Sequence, residues 1–441
     1  MTAMFRSFGV FNYRIWFVGA LISNVGTWMQ RTAQDWIVLT DLTDHDAAAV
    51  GVTMALQFAP QLALMPLVGL IADRVDRRKL LIGTQTAMGL LALGLGLIVV
   101  TGVAELWMVY GFALALGIAA AIDTPARQTF VNELVPDSHL SNAVALNSAS
   151  FNGARLIGPA VAGILTALVG AGWVFMINTV TFAAVVLSIV ALRRSELRQT
   201  TRAVRERGQI RAGFRYVLRR ADIMVILVMV FIIGTFGLNF PIWSSTMASV
   251  EFGEGAGEFG LLSSILAIGS VAGALLAARR DRPRLRFVVF AAAGFGFSTA
   301  LAATMPTMWT FAASLILVGF SSLTMMTSAN AYVQTTTSPV MRGRVMALYM
   351  AIFVGGTPLG APVVGWVANE FGPRWSMGVG ALAGIVAATV AVIWMVRTRN
   401  LRLRYDRASR IRLAFHYRGD GRDRELATQE IAITEAASQR G

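Results

Sequence analysis

Twelve stretches of predominantly apolar residues follow one another along this chain, each long enough, at about 20 residues, to cross a hydrocarbon layer as a helix. Their approximate limits are 15 to 39, 48 to 72, 80 to 101, 106 to 126, 142 to 168, 173 to 193, 223 to 247, 259 to 278, 287 to 304, 308 to 334, 345 to 369 and 375 to 396. With 56% of residues hydrophobic and only 14% charged, a single water-soluble core of this length cannot hide the apolar surface. The expected class is therefore an all-α membrane protein of twelve transmembrane helices.

Basic residues near span ends stay on the cytoplasmic side. With the N-terminus inside, all but three of the 38 basic residues fall in inner segments: beside Arg6 and Arg14, from Arg74 to Lys79, at Arg127, from Arg193 to Arg220, from Arg279 to Arg286, at Arg342 and Arg344, and in the tail after Arg397. Only Arg374 is outside, and Arg31 and Arg155 lie within spans. The outer loops Asp41 to Asp46 and Glu251 to Glu258 are acidic. Both termini are thus expected in the cytoplasm. All but one of the basic residues are arginine, as in a GC-rich bacterial genome, and the expected location is the inner, cytoplasmic membrane.

The net charge of +14 sits beside the helices, where anionic lipid headgroups attract it, and no nucleic-acid module is visible. Cysteine is absent, which excludes a disulfide framework and thiolate metal sites. The first apolar stretch is a full span and not a short cleavable leader.

The longest interruption divides the spans six and six. The expected organisation is a first bundle over 1–193, a basic linker over 194–221, a second bundle over 222–397 and a cytoplasmic tail over 398–441. In the linker Ile210, Phe214, Val217 and Leu218 share one helical face with arginines on the others, the pattern of an interfacial helix. The tail is expected to be partly helical or disordered. The halves echo each other at one constant offset: Gly158, Gly163, Gly170 and Trp173 match Gly360, Gly365, Gly372 and Trp375, with Ala145 and Leu146 matching Ala347 and Leu348. These residues run from the fifth and eleventh spans to the starts of the sixth and twelfth, so the repeats run in parallel, as in two six-helix bundles related by a pseudo-two-fold axis along the membrane normal.

Between spans two and three, "GLIADRVDRRK" (69–79) resembles the signature loop of the major facilitator superfamily, G-x-x-x-D-R-x-G-R-R. Gly69, Asp73, Arg74, Arg77 and Arg78 match, and Asp76 stands where the pattern has Gly. The second half's "GALLAARRDRPR" keeps the Gly and the Arg cluster without an acid at the position of Asp73. The segments 123–163 and 330–365 resemble the enterobactin-exporter and macrolide-efflux-like branch, and the likeness runs from about Phe8 to Arg397. It implies a conformational latch: Asp73 facing the N-terminus of span eleven, and Arg74 and Arg77 bridging to an acid on span four, here Asp123. The alternative is a positive-inside anchor with no latch. "GPAVAG" in span five partly resembles an antiporter motif, with Gly158, Pro159 and Gly163 as a helix kink or a packing site.

An ionisable side chain inside a span is costly and marks a candidate functional site. On span one Asn24, Trp28, Arg31 and Asp35 form one polar stripe. Arg31 and Asp35 form either a local structural ion pair or a coupling site at which Asp35 exchanges protons. Arg155 in span five shares a face with Asn147 and Phe151 and is expected to face a central cavity. Gln57 and Gln61 on span two, Asn178 on span six, Asn239 and Trp243 on span seven, and Tyr349 and Phe353 on span eleven are further cavity candidates.

No phosphate-cradling loop, metal cluster or nucleophile and base pair is visible, so neither an enzyme nor a cofactor or metal site is expected. The reading is a monomeric secondary transporter, expected to exchange protons for amphipathic organic compounds, drugs or a siderophore, by alternating access. Competing readings are an importer or facilitator of a small metabolite, and a membrane sensor or scaffold that transports nothing.

Overall fold

The computed structural model describes residues 3–65, 75–198, 209–278, 284–399, 401–405 and 413–417. Each of the twelve predicted spans coincides with a helix among the described residues, with a break inside span seven. Spans one to six are Phe11–Thr40, Ala47–Ala63, Arg77–Val100, Leu106–Leu134, Asp137–Val169 and Ala171–Val190. A short helix, Gln209–Arg219, precedes span seven, which begins at Ala221. Spans eight to twelve are Ala256–Ala278, Leu285–Ala303, Met308–Thr336, Pro339–Phe371 and Pro373–Arg399. Among the described residues ten helices are long and apolar enough to cross a membrane. Span one is long enough as well but carries Arg14, Arg31 and Asp35. After the last span an antiparallel ribbon, β1 (Leu401–Tyr405) with β2 (Leu413–Tyr417), pairs Leu401 opposite Tyr417, where helix or disorder was expected.

Helix ends follow local chemistry. Asp46 accepts hydrogen bonds from the amides of Ala48 and Ala49 and starts span two. Asp76, the residue that departs from the loop pattern, accepts from the Lys79 amide (2.9 Å) and starts span three. An N-cap carboxylate of this kind contributes about 1 kcal/mol. Spans five and eleven both end at a glycine with positive φ, Gly170 at 86° and Gly372 at 97°, a conformation that side chains resist.

Span seven is broken. Helix Ala221–Ile232 passes into a π-helical turn at Ile233–Gly237, loses helical geometry at Leu238 and Asn239, resumes as Phe240–Thr246 and ends in a second π turn, Met247–Glu251. Two glycines and Pro241, which has no N–H to donate, weaken the backbone ladder here. The Asn239 side-chain amide donates to the Thr235 carbonyl instead (2.9 Å).

The two halves repeat each other in contacts as well as in sequence. Gly158 packs on Trp28 of span one, and its counterpart Gly360 packs on Thr235 of span seven. Gly117 packs on the Gln57 backbone, and its counterpart Gly319 packs on that of Leu266. Across the halves, Gly163 meets Ala256 and Gly260 of span eight, while Gly365 meets Ala47 and Ala48 of span two. Small residues at these crossings let backbones touch where no hydrophobic effect drives helices together.

Both cross-half contacts lie at the end carrying the acidic loops. There the Ala47 amide donates to Asn369 Oδ1 (2.8 Å), the Asn369 amide donates to Asp46 (2.6 Å), and Trp36 stacks on Phe259 at 5.6 Å. At the opposite end Gln128 of span four, Ser148 and Asn152 of span five, and Gln334 and Thr335 of span ten are exposed. Hydrocarbon cannot satisfy such groups, so this end is wet. The halves meet at the acidic-loop end, and polar side chains are exposed at the other.

Candidate substrate and coupling site

A cavity of about 320 Å³ lies between the halves. Spans one, two and five supply Trp28, Arg31, Thr32, Asp35, Met54, Gln57, Phe58, Phe151, Arg155 and Pro159; spans seven, eight and eleven supply among others Leu238, Phe240, Ser244, Phe259, Phe353 and Thr357. Arg31 and Asp35 share this wall because they are one helical turn apart.

The direct Arg31–Asp35 ion pair does not form. Among the described residues no carboxylate oxygen lies within 4.0 Å of the Arg31 or Arg155 guanidinium. The Arg31 Cζ sits 5.4 Å from the Trp28 ring centroid and 5.2 Å from that of Phe58, and the Arg155 Cζ sits 5.5 Å from the Trp28 centroid. Each such cation–π contact is worth about 0.5–2 kcal/mol and leaves the charge in place. Asp35 is 4% exposed, and its Oδ1 has no hydrogen-bond partner. Arg31 Nε and Gln57 Nε2 are also buried and unpartnered. Buried polar atoms without partners are uncommon, and three on one wall mark a place built to meet something else.

Six predicted cavity residues lie elsewhere. Asn24 is at the lower end of the stripe, where its Oδ1 accepts from Arg127 (2.8 Å) and its amide faces Ser150 (3.5 Å). Asn239 and Trp243 are turned away by the π turn, which re-aims the residues after it, so that Leu238, Phe240 and Ser244 face the cavity. Trp243 is instead buried against Gly380 of span twelve. Tyr349, 2% exposed, donates to the Met326 carbonyl inside the second half (3.3 Å). Asn178 donates to Gln30 (2.5 Å) between spans six and one, and Gln61 is outside the cavity wall.

Of the latch residues, Gly69, Asp73 and Arg74 lie outside the described residues. Arg77 pairs with Glu133 (2.5 Å), not with Asp123. The reason is depth, since ten residues of helix put Asp123 about 15 Å further along span four from the loop. Arg78 donates to the carbonyls of Ile189 (3.0 Å) and Val190 (2.9 Å), closing the end of span six. Asp123 anchors a buried network: it accepts from Thr84 (2.8 Å), Gln85 (2.7 Å) and Arg127 (2.8 Å), tying spans three and four together, with Arg127 reaching Asn24 on span one. The Asp123 to Arg127 spacing of one turn was the signal for this pairing. A second network, Arg220 to Asp222 (2.8 Å) and Tyr332 to Asp222 (3.1 Å), fixes the start of span seven. Pro159 lines the cavity between Gly158, packed on span one, and Gly163, packed on span eight.

Two repeated six-helix bundles around a charged cavity, together with the family match over residues 3–412, define a membrane transporter of the major facilitator superfamily and not an enzyme. The model of the family described as transmembrane secretion effector matches residues 3–412, and the chain belongs to that family. It is similar to the staphyloferrin A transporter of Staphylococcus aureus, 23% identical over 398 residues that cover 90% of this chain and 98% of the relative. The enterobactin exporter EntS of Shigella flexneri is 23% identical over 370 residues, covering 83% and 87%. In fold it resembles a bacterial homologue of the human lysosomal transporter Spinster in an inward-facing, unoccupied conformation, with TM-score 0.67, 12% identity and coverage of 87% and 96%. A D-xylose–proton symporter has TM-score 0.67 at 14% identity, covering 86% and 96%.

Proposed function

We propose that this transporter exports amphipathic organic compounds, siderophore-like or drug-like, in exchange for protons, from a bacterial cytoplasmic membrane with both termini inside. The observation that carries this reading is Asp35: a buried carboxylate, free of any direct ion pair, in the cavity that both halves share. A carboxylate so placed binds a proton or releases it according to what occupies the cavity and which end is open. Arg31 on the same helix face and Arg155 on span five are the charged groups facing it. The likeness to an enterobactin exporter supports the outward direction.

In this reading the end with the exposed polar side chains is cytoplasmic and open. Substrate enters there, the halves rock, and the contacts around Asp46, Asn369 and Phe259 part to release it outside. Arg77, Arg78 and the loop before them form the inner latch that holds the alternate state. The bundles act as a monomer, with the arginine-rich helix Gln209–Arg219 on anionic lipid.

The test is flux in reconstituted vesicles under an imposed pH gradient. An outward proton gradient, acid inside the vesicle, drives accumulation against the substrate gradient, and flux indifferent to the pH gradient removes the coupling. Asp35→Asn abolishes gradient-driven accumulation and spares downhill exchange; a mutant that still concentrates substrate normally removes Asp35 from the mechanism.

A further inference from the structure

We propose that the cavity selects amphipathic organic anions, with the anionic head held by Arg31 and Arg155 of the first half and the apolar body laid against the uncharged wall of the second half. This rests on the transporter reading and names its substrate class.

The charges of the wall carry the proposal. Among the described residues its charged side chains are Arg31, Arg155 and Asp35, two cations against one anion, and all three come from spans one and five. Among the described residues neither guanidinium has a carboxylate within 4.0 Å, and both rest against the single indole of Trp28. An aromatic face attracts a cation without neutralising it, and an uncompensated charge at this depth is costly. A ligand that brings a negative charge relieves that cost, whereas a cationic ligand adds a third positive charge. The unpartnered donors point the same way: Arg31 Nε and Gln57 Nε2 need an acceptor.

The second half offers the complementary surface. Its contribution is apolar or hydroxyl-bearing, led by Leu238, Phe240, Phe259 and Phe353, with no charge. A bound molecule therefore lies across the boundary between the halves, head on one and body on the other. This is the position from which its occupancy alters how they rock. The volume of about 320 Å³ falls at the lower end of the range for drug-sized ligands. A carboxylate or phenolate on an aromatic or acyl body fits these conditions.

The experiment compares three probes of one shape on the full-length protein in phosphatidylcholine nanodiscs: 2-naphthoate, 2-naphthamide and 2-naphthylmethylammonium, with binding read by calorimetry. The naphthoate is expected to bind at least about tenfold more tightly than the amide, the gain of a charge-assisted hydrogen bond over a neutral one, with the ammonium weakest. Arg155→Gln removes the preference for the carboxylate while keeping amide binding, Arg155→Lys retains part of it, and Phe353→Ala weakens carboxylate and amide alike. If Arg155→Gln does not fold, the charge series on the unaltered protein and on Arg31→Gln decides. Equal affinity for carboxylate and amide, tightest binding of the ammonium, or no binding of the carboxylate at its solubility limit overturns the proposal. Binding is read without a pH gradient, so its failure is separable from failure of coupling: a protein that prefers the carboxylate but shows no proton-driven flux keeps the anion site and loses the antiport mechanism.

Discussion

Gly51 on span two sits where the two halves touch at the acidic-loop end, and one methyl group there should open it. A Cβ at this position would lie 2.4 Å from the Ala361 carbonyl oxygen and 2.8 Å from the Pro362 Cα, both backbone atoms of span eleven. Ordinary contact begins near 3.4 Å, so Gly51→Ala requires spans two and eleven to move apart by about 1 Å, an overpacking that costs about 1–3 kcal/mol. That cost falls on the closed state alone, because the crossing is undone when this end opens. The gain in helix propensity, about 1 kcal/mol for Ala over Gly, applies to both states and cancels. The equilibrium should then shift towards the outward-open form by about 5–150-fold. The chain has no cysteine, so Met54→Cys, on the cavity wall of the same span, gives a single reactive reporter. Its alkylation by a membrane-impermeant maleimide added outside should accelerate at least about fivefold in the Gly51→Ala background. Gly83→Ala, where a Cβ meets nothing within 4 Å, is the control and should leave the rate unchanged. Unchanged or slower labelling with Gly51→Ala would refute the assignment of this crossing as the outer gate.

Asp123→Asn should destabilise the protein by about 3–5 kcal/mol, since it strands the Arg127 guanidinium in a largely buried network; unfolding in detergent reports it, and a loss below about 1 kcal/mol would contradict the network's structural role. Asn369→Ala should leave stability nearly unchanged because Asp46 keeps its cap bonds to Ala48 and Ala49, yet raise outside labelling of Met54→Cys by removing two cross-half hydrogen bonds. Labelling at the unaltered rate would exclude Asn369 from the gate.

The spans and the repeat were readable because membrane crossing imposes a length and helix crossings impose small residues; the matched glycines on spans five and eleven make equivalent contacts. Arg31, Asp35 and Arg155 were readable for a related reason, as hydrocarbon tolerates ionisable groups only where they meet water or a ligand. Rotation about a helix axis was not readable. Asn239 and Trp243 would share a cavity face only on a regular helix, and the π turn at Ile233–Gly237 re-aims everything after it. Tyr349 sits within a turn of Phe353, yet one lies in the core of the second half and the other on the cavity wall. The partner of Arg77 was misjudged because sequence order on span four says nothing of depth until the rise per residue is applied. Asp76, which breaks the loop pattern, keeps a role of its own as the cap of span three.

The central claim is that one cavity opens to either face and never to both. Its most direct measurement is a pair of spin-label distances on the reconstituted protein: one across the acidic-loop end, between cysteines placed at the exposed positions Asp44 and Glu370, and one across the opposite end, between Thr129 and Thr335. Two populations are predicted, short at the first pair with long at the second and the reverse, exchanging when pH or a bound compound is changed. A population long at both pairs, or distances that never change, would contradict the account.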